Sequence, residues 1–272
     1  MKTPLTLLAA ALLTACATSE PVGPAAKEEI VAVSAANEIL RFNAGQPQRV
    51  RDRRPLTGLR TGERLLGIDY RVAKGQLYAL GASGQLYRID PAAAVATPVG
   101  PGVALPAGGR EWGFDFNPTV DRIRVVSDNG LNLRLHPDTG AVVAIDGPLA
   151  YDDGRPGAVV AAGYTYNAKD DKLTTNYALD GAAGTLVHQG SLEGATPVVS
   201  PNTGRLTTVG PLGLGPFQQA TLDISDVRNA AYAAIRQGER TRWVRIDLAT
   251  GRATVIGTVA VDAPLVGAAI EP

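Results

Sequence analysis

The stretch "GFDFNPTVDRIRVVSDNGLNLRLHPDTGAVVAIDG", residues 113–147, decides the fold. It holds four short runs rich in β-branched, aromatic or aliphatic residues, and the turns between them are built from Gly, Pro, Asp and Asn. Such runs predict β-strands that are joined by hairpins. The stretch therefore predicts a small antiparallel sheet of four strands.

The first strand of this sheet has counterparts along the rest of the chain. They are "GIDY" from Gly67, "GFDF" from Gly113, "GYTY" from Gly163, "TLDI" from Thr221 and "GAAI" from Gly267. Their starts lie 46, 50, 58 and 46 residues apart. Four strands repeated every 40–50 residues or so are typical of β-propeller blades. The longest interval contains "GSLEGATP", residues 190–197, which we expect to be an insertion.

The two ends of the chain are expected to share one blade. After "GAAI" the chain stops at Pro272, so the fifth repeat has only its first strand, and "IVAV", "EILRF" and "QRVRD" near the N-terminus supply the other three. A strand shared in this way closes the ring and removes its exposed edges. We therefore predict an all-β protein, a β-propeller of five four-stranded blades whose last blade is closed by N- and C-terminal strands. A short amphipathic helix over residues 27–42 is the alternative, which the match to the repeat disfavours.

The N-terminus has the features of a bacterial lipoprotein signal. Lys2 precedes an apolar run from Leu5 to Leu13, which is too short to span a bilayer. The following "LTAC" resembles a lipobox and ends at Cys16, the single cysteine of the chain. The alternative is an ordinary secretory signal with a chance cysteine. We expect a signal peptide over residues 1–15, lipid attachment at Cys16, a tether over residues 16–29 and a single propeller domain over residues 30–272.

The expected location follows from the lipobox. By resemblance to sorting signals of Gram-negative bacteria, Ala17 rather than Asp after the cysteine favours the outer membrane. Two or more acyl chains hold a protein stably to a bilayer, whereas one does so only marginally. We therefore expect a lipid-anchored protein of the cell envelope, on the outer membrane and facing the periplasm.

The charge composition argues against nucleic acid as a partner. Lys and Arg together number 26, and so do Asp and Glu, so the formal net charge is zero. Binding to phosphate backbones needs an excess of Lys and Arg. With one cysteine, the chain also has no disulfide framework and no cysteine-based metal site.

A family resemblance supports this architecture. "GFDFNPTVDRIRVVSDNGLNLRLHPDTGAV", "LLGIDYRVAKGQLYALGASGQLYRIDP" and "GRLTTVGPLG" resemble the bacterial family called domain of unknown function 4394. The resemblance covers residues 30–270, and "NPTVDRIRVVS" is its most specific part. It implies a propeller-like secreted or envelope protein, and it implies no activity, substrate or catalytic residues.

Three aspartates recur on one face of the first strands. Alternate residues of a strand point to opposite faces, so Asp69, Asp115 and Asp223 are expected to line the central channel at one level, with Thr165 as their counterpart in the third repeat of the series. Converging carboxylates suit a Ca²⁺ site. Alternatively, each aspartate accepts hydrogen bonds from the backbone of its own or the next blade, and repetition in three blades favours this second interpretation.

The loops that precede the first strands are expected to form a mouth of the channel. Its candidate binding residues are Arg110, Glu111, Trp112, Tyr151, Asp152, Asp153 and Arg155. Aromatic residues beside paired charges are typical of binding sites. The alternative is that Trp112 belongs to the core and that the charges only solvate the loops. Three arginines on strands, Arg122, Arg124 and Arg134, are expected on blade surfaces or as partners of Asp115 and Asp121.

Two functions are consistent with these residues. The first is a non-enzymatic envelope lipoprotein whose propeller binds a protein, peptide or glycan, and the lack of a recognisable catalytic motif favours it. The second is a metal-dependent hydrolase of the lactonase type that uses the axial carboxylates and Ca²⁺. The first is preferred, with no catalytic residue assigned.

Overall fold

The structure, a computed structural model, describes residues 20–272 and consists of five small, mainly antiparallel sheets. In chain order the strands are β1 (Glu29–Ser34), β2 (Glu38–Asn43) and β3 (Asp52–Pro55) in blade 1; β4 (Leu65–Arg71), β5 (Gln76–Gly81), β6 (Leu86–Asp90) and β7 (Val95–Val99) in blade 2; β8 (Trp112–Asn117), β9 (Arg122–Ser127), β10 (Asn132–Leu135) and β11 (Val142–Ile145) in blade 3; β12 (Ala150–Tyr151), β13 (Val159–Tyr164), β14 (Asn176–Asp180), β15 (Thr185–Gln189) and β16 (Arg205–Pro211) in blade 4; β17 (Gln219–Ile224), β18 (Ala231–Gln237), β19 (Arg240–Ile246) and β20 (Ala253–Thr258) in blade 5; and β21 (Leu265–Ile270), which returns to blade 1. Single-turn 3-10 helices cover Val72–Lys74 and Pro201–Thr203. The predicted all-β propeller of five blades is confirmed.

Blade 1 is built from both ends of the chain, as predicted. Its strand order is β21-β1-β2-β3, and β21 pairs antiparallel with β1. The alternative of a helix over residues 27–42 is wrong, because β1 and β2 form a hairpin there. Asn37 makes the turn with a φ of 56°, a left-handed conformation that asparagine tolerates.

The described part of the predicted tether packs on the propeller. The backbone N–H of Ala26 donates to the Asn43 side chain (2.7 Å), and the Gln46 side chain donates to the carbonyl of Gly23 (3.0 Å). Glu28 is buried and accepts hydrogen bonds from Arg228 and from the Tyr232 hydroxyl of blade 5. Residues 23–28 are therefore attached to the folded domain.

The core is divided among the boundaries between neighbouring blades. Each of the five boundaries contains one cluster of buried apolar side chains. At the boundary between blades 5 and 1, Trp243 stacks on Tyr232 at 5.8 Å and meets Phe42 edge-on at 5.1 Å. Its indole N–H donates to the carbonyl of Ala44 (2.9 Å). The ring closure is therefore an apolar interface as well as a strand pairing.

The described residues contain only strands, turns and short 3-10 segments. Within residues 20–272 we find no helix with the length and apolar character that crossing a bilayer requires.

Candidate functional site

The first strand of each blade lies at the central axis, and the five strands approach each other closely. A Cβ atom on Gly113 would lie 2.7 Å from the backbone nitrogen of Ala162, and one on Gly267 would lie 2.6 Å from that of Ile68. No real side chain tolerates such distances, which explains the glycines at these positions. The cavity left at this level has a volume of about 10 Å³, which is at most the space of one water molecule.

The three predicted aspartates meet at the axis, where they connect neighbouring blades. Oxygens of Asp69, Asp115 and Asp223 lie within 4.8 Å of one another. Each carboxylate accepts a backbone N–H of the following blade: Phe116 to Asp69 (2.7 Å), Tyr164 to Asp115 (2.8 Å) and Ile270 to Asp223 (2.5 Å). Asp69 and Asp223 also accept the N–H of the residue that follows each of them. The geometry therefore supports the interpretation in which these aspartates accept backbone hydrogen bonds, rather than the one in which they bind Ca²⁺.

The register predicted for blade 4 is wrong by two residues. The N–H of Tyr164 donates to Asp115 in the way that those of Phe116 and Ile270 donate to the other two aspartates. The counterpart of Asp115 in blade 4 is consequently Gly163, not Thr165. The run "GYTY" resembled the other first strands, but the strand itself begins earlier, at Val159.

The three axial aspartates, which we call the carboxyl ring, have raised pKa values, so they hold protons at pH values at which an isolated aspartate is ionised. Burial, followed by the charge of Asp223, raises the pKa of Asp69 well above its usual value. The pKa of Asp115 is raised in the same way, by burial and then by the charges of Asp69 and Asp223. Burial raises the pKa of Asp223 to about 6, although its two backbone hydrogen bonds act in the opposite direction.

The donor set fits Ca²⁺ poorly. This ion takes roughly six to eight oxygen ligands. Among the described residues the cluster offers three carboxyl groups, and five of their six oxygens already accept a backbone N–H. The interblade hydrogen bonds account for the ring without a cation.

A larger cavity opens at the end of the propeller where the first strands begin. It is a groove of about 530 Å³ between blades 3, 4 and 5, and we call it the entry groove. Its lining includes Arg110, Glu111, Asp128, Val160, Phe217 and Gln237. The Asp128 carboxylate accepts the backbone N–H of Arg110 (2.8 Å) and fixes the loop that carries the predicted residues Arg110 and Glu111.

Glu111 is a groove residue whose pKa is shifted toward neutrality. Burial, followed by the charge of Asp128, raises its pKa to about 7, and the charge of Arg64 offsets part of this rise. The buried side chains of Val160 and Phe217 form the apolar part of the lining. The groove thus combines a titratable carboxyl group with an apolar surface.

The other predicted mouth residues lie elsewhere. Trp112 is half-buried and packs against the core between blades 2 and 3. Tyr151 ends β12, which pairs in parallel with β16, the outer strand of blade 4, and Asp152, Asp153 and Arg155 follow it. There the Tyr151 hydroxyl donates to Asp180 (2.6 Å), and the Arg155 guanidinium lies 3.9 Å above the Tyr151 ring. None of these five residues lines the entry groove.

Several groove residues were missed because they follow second strands. Asp128, Ala182 and Gly238 lie between the second and third strands of blades 3, 4 and 5. In an antiparallel blade this connection is at the same end as the start of the first strand. The strand order alone could therefore have identified these loops.

Several solved structures are similar to this chain at low sequence identity. A protein of unknown function from Bacteroides thetaiotaomicron VPI-5482 is 15% identical, with a TM-score of 0.48, and the alignment covers 86% of this chain and 61% of that one. A proposed 6-phosphogluconolactonase from Bacteroides fragilis NCTC 9343 is 18% identical, with a TM-score of 0.41 and coverages of 90% and 70%. Kuenenia stuttgartiensis hydrazine synthase is 11% identical, with a TM-score of 0.43 and coverages of 74% and 52%. Likenesses this distant carry no argument about function.

The sequence itself identifies the family. A search of functionally curated proteins gave no match. The model of the family described as "Domain of unknown function (DUF4394)" matches residues 38–269, which include strands of all five blades. The protein belongs to this family, as the resemblance of its blade motifs indicated.

Proposed function

We propose that the protein is a lipid-anchored envelope protein whose propeller binds a ligand in the entry groove. One observation carries the proposal: the groove places Glu111, with its pKa near neutrality, beside Asp128 and an apolar lining. Concave sites with an apolar lining and a few polar groups are typical of ligand binding.

The chemistry of the groove favours a peptide segment with a basic side chain. Two carboxyl groups, those of Glu111 and Asp128, lie on one side of the cavity and can pair with a lysine or arginine of the ligand. Phe217 and Val160 provide the contact for an adjacent apolar side chain. A glycan would use the carboxyl groups less well, because it brings no cation to them.

The hydrolase alternative receives no support from the geometry. It needs Asp69, Asp115 and Asp223 to hold a metal ion that faces a substrate. Backbone hydrogen bonds already occupy five of the six carboxyl oxygens that would have to bind the metal ion.

Binding through Glu111 is expected to strengthen as the pH rises through about 7. The carboxyl group is ionised above its pKa, and only the ionised form pairs with a cation. A basic peptide selected from a library at pH 8 should bind the wild type roughly tenfold more weakly at pH 6, and Glu111→Gln should be weak at both pH values. Fluorescence anisotropy with the labelled peptide measures both effects.

The control for this experiment is Asp153→Asn, which removes an exposed carboxylate outside the groove. It should bind like the wild type at each pH. Equal affinities of the wild type and Glu111→Gln for every selected peptide would contradict the proposal.

Lipidation has its own test, since Cys16 lies outside the described residues. Expressed in a Gram-negative host with labelled palmitate, the wild type should carry the label and fractionate with the outer membrane. Cys16→Ser should lose the label and leave the membrane fraction. Ala17→Asp should keep the label but remain with the inner membrane. Label on Cys16→Ser, or none on the wild type, would refute the anchor.

A further inference from the structure

A second polar cavity lies between blades 3 and 4, toward the end of the propeller opposite the entry groove. Its volume is about 160 Å³. Three guanidinium groups line it, together with hydroxyl and amide groups. These residues are Arg122, Arg124, Arg134, Tyr164, Ser200 and Asn202. We call this cavity the arginine pocket.

Arg124 forms the buried wall of the arginine pocket. Its side chain is 2% exposed. It donates to the Tyr164 hydroxyl (2.9 Å), to the side-chain oxygens of Asn132 (2.6 Å) and Asn202 (2.7 Å), and to Asp146 (2.8 Å). Its guanidinium group is therefore fixed in one orientation by groups from both blades.

The arginine pocket has more positively charged groups than carboxylates to pair with them. Asp146 is the partner of Arg124, and Arg134 binds the same carboxylate through two hydrogen bonds of 2.8 and 2.9 Å. The partners expected from the sequence, Asp115 and Asp121, are engaged with Tyr164 N–H and with Arg71. Asp146 thus forms salt bridges with both Arg124 and Arg134.

The third arginine has no carboxylate partner in the described part of the chain. Arg122 donates to the carbonyls of Asp121 (2.8 Å) and Val120 (3.4 Å). Among residues 20–272, Arg124 and Arg134 therefore share one carboxylate, Arg122 has none, and no carboxylate lines the cavity.

Arg124 is buried and shares the Asp146 carboxylate with Arg134, and the half-buried Arg122 has no carboxylate partner, so an anion in the cavity would be attracted by an excess of positive charge. The planar fork of a guanidinium group matches carboxylate and phosphate oxygens, and hydroxyl and amide groups such as those of Tyr164, Ser200 and Asn202 can add neutral hydrogen bonds. A cavity of about 160 Å³ has room for a group of a few heavy atoms. We propose that the arginine pocket binds a small oxyanion group, a phosphate or a carboxylate.

The test is a titration of the full-length protein with inorganic phosphate, sulfate and acetate in separate arms. Calorimetry and thermal unfolding are compared with chloride at equal ionic strength, which removes nonspecific screening. At least one of the oxyanions should bind with heat and raise the unfolding midpoint above the chloride value. The arm that responds identifies the phosphate-like or the carboxylate form of the ligand.

Two variants locate the effect. Arg122→Gln removes the unpaired guanidinium from the rim and should weaken binding about tenfold or more, because a charge-assisted hydrogen bond is lost. Arg252→Gln removes an exposed arginine that does not line the pocket and should leave binding unchanged. Oxyanion effects that equal that of chloride, or that are the same in Arg122→Gln and the wild type, would overturn the proposal.

Discussion

Ending the chain at Pro264 is expected to abolish the cooperative unfolding of the propeller. The truncation removes β21, whose residues Leu265, Ala268, Ala269 and Ile270 are buried. Burial of a side chain such as Leu or Ile contributes about 1.5–3 kcal/mol, and whole domains are stable by only about 5–15 kcal/mol. The loss also exposes the edge of β1 and removes the Ile270 N–H from Asp223.

Urea unfolding followed by circular dichroism measures this effect. The wild type should show one sigmoidal transition, and the truncated chain a broad one with a much smaller denaturant slope, since less surface is buried. A chain that lacks only Glu271 and Pro272 is the control and should unfold cooperatively, because it retains all of β21. A synthetic peptide of residues 265–272 should restore part of the transition. A truncated chain with a wild-type slope would show that β21 does not hold the ring together.

The fold could be predicted because each blade repeats a local pattern. The runs that start at Gly67, Gly113 and Gly267 carry glycine where neighbouring strands approach closely, so the repeat marks the axis directly. The pattern failed in blade 4, where "VVAAGY" forms the first strand and has Ala162 in place of the first aromatic residue and Gly163 in place of the aspartate. A hydrogen bond from Tyr164 to Asp115 of another blade fixes the register there, and such a contact has no signature in the local sequence.

Residues of the candidate site could be predicted where their position follows from the order of strands in a blade. They could not be predicted where their position depends on the course of a loop. Glu111 directly precedes a first strand, so its place at the mouth follows from the topology. The segment around Tyr151 also precedes a first strand, but β12 diverts it to the outer edge of blade 4. Likewise, the carboxylate partner of Arg124 is Asp146, which follows β11, the outer strand of blade 3. The alternation of residues along β9 gives no indication of this pairing.

Replacing Asp115 by alanine is expected to lower the free energy of unfolding by about 1–3 kcal/mol at pH 4–5, because the buried N–H of Tyr164 loses its acceptor. Asparagine keeps an acceptor oxygen at nearly the same place, so Asp115→Asn should be close to the wild type at this pH. Urea unfolding of the three proteins provides the comparison. Equal stabilities of the alanine variant and the wild type would mean that the interblade bond contributes nothing.

The pH dependence separates the hydrogen-bonded ring from a calcium site. The pKa of Asp115 is raised on folding, so the folded protein binds more protons than the unfolded chain between the ordinary aspartate pKa and the raised one. The wild type should therefore lose stability as the pH rises from about 4 through the raised pKa, whereas Asp115→Asn should lose less and exceed the wild type at pH 8. A calcium site predicts the opposite at pH 8: added Ca²⁺ would stabilise the wild type, and the asparagine variant would lose that gain. Because five of the six ring oxygens already accept a backbone N–H, we expect Ca²⁺ to leave the wild-type transition unchanged and the asparagine variant to remain the more stable protein.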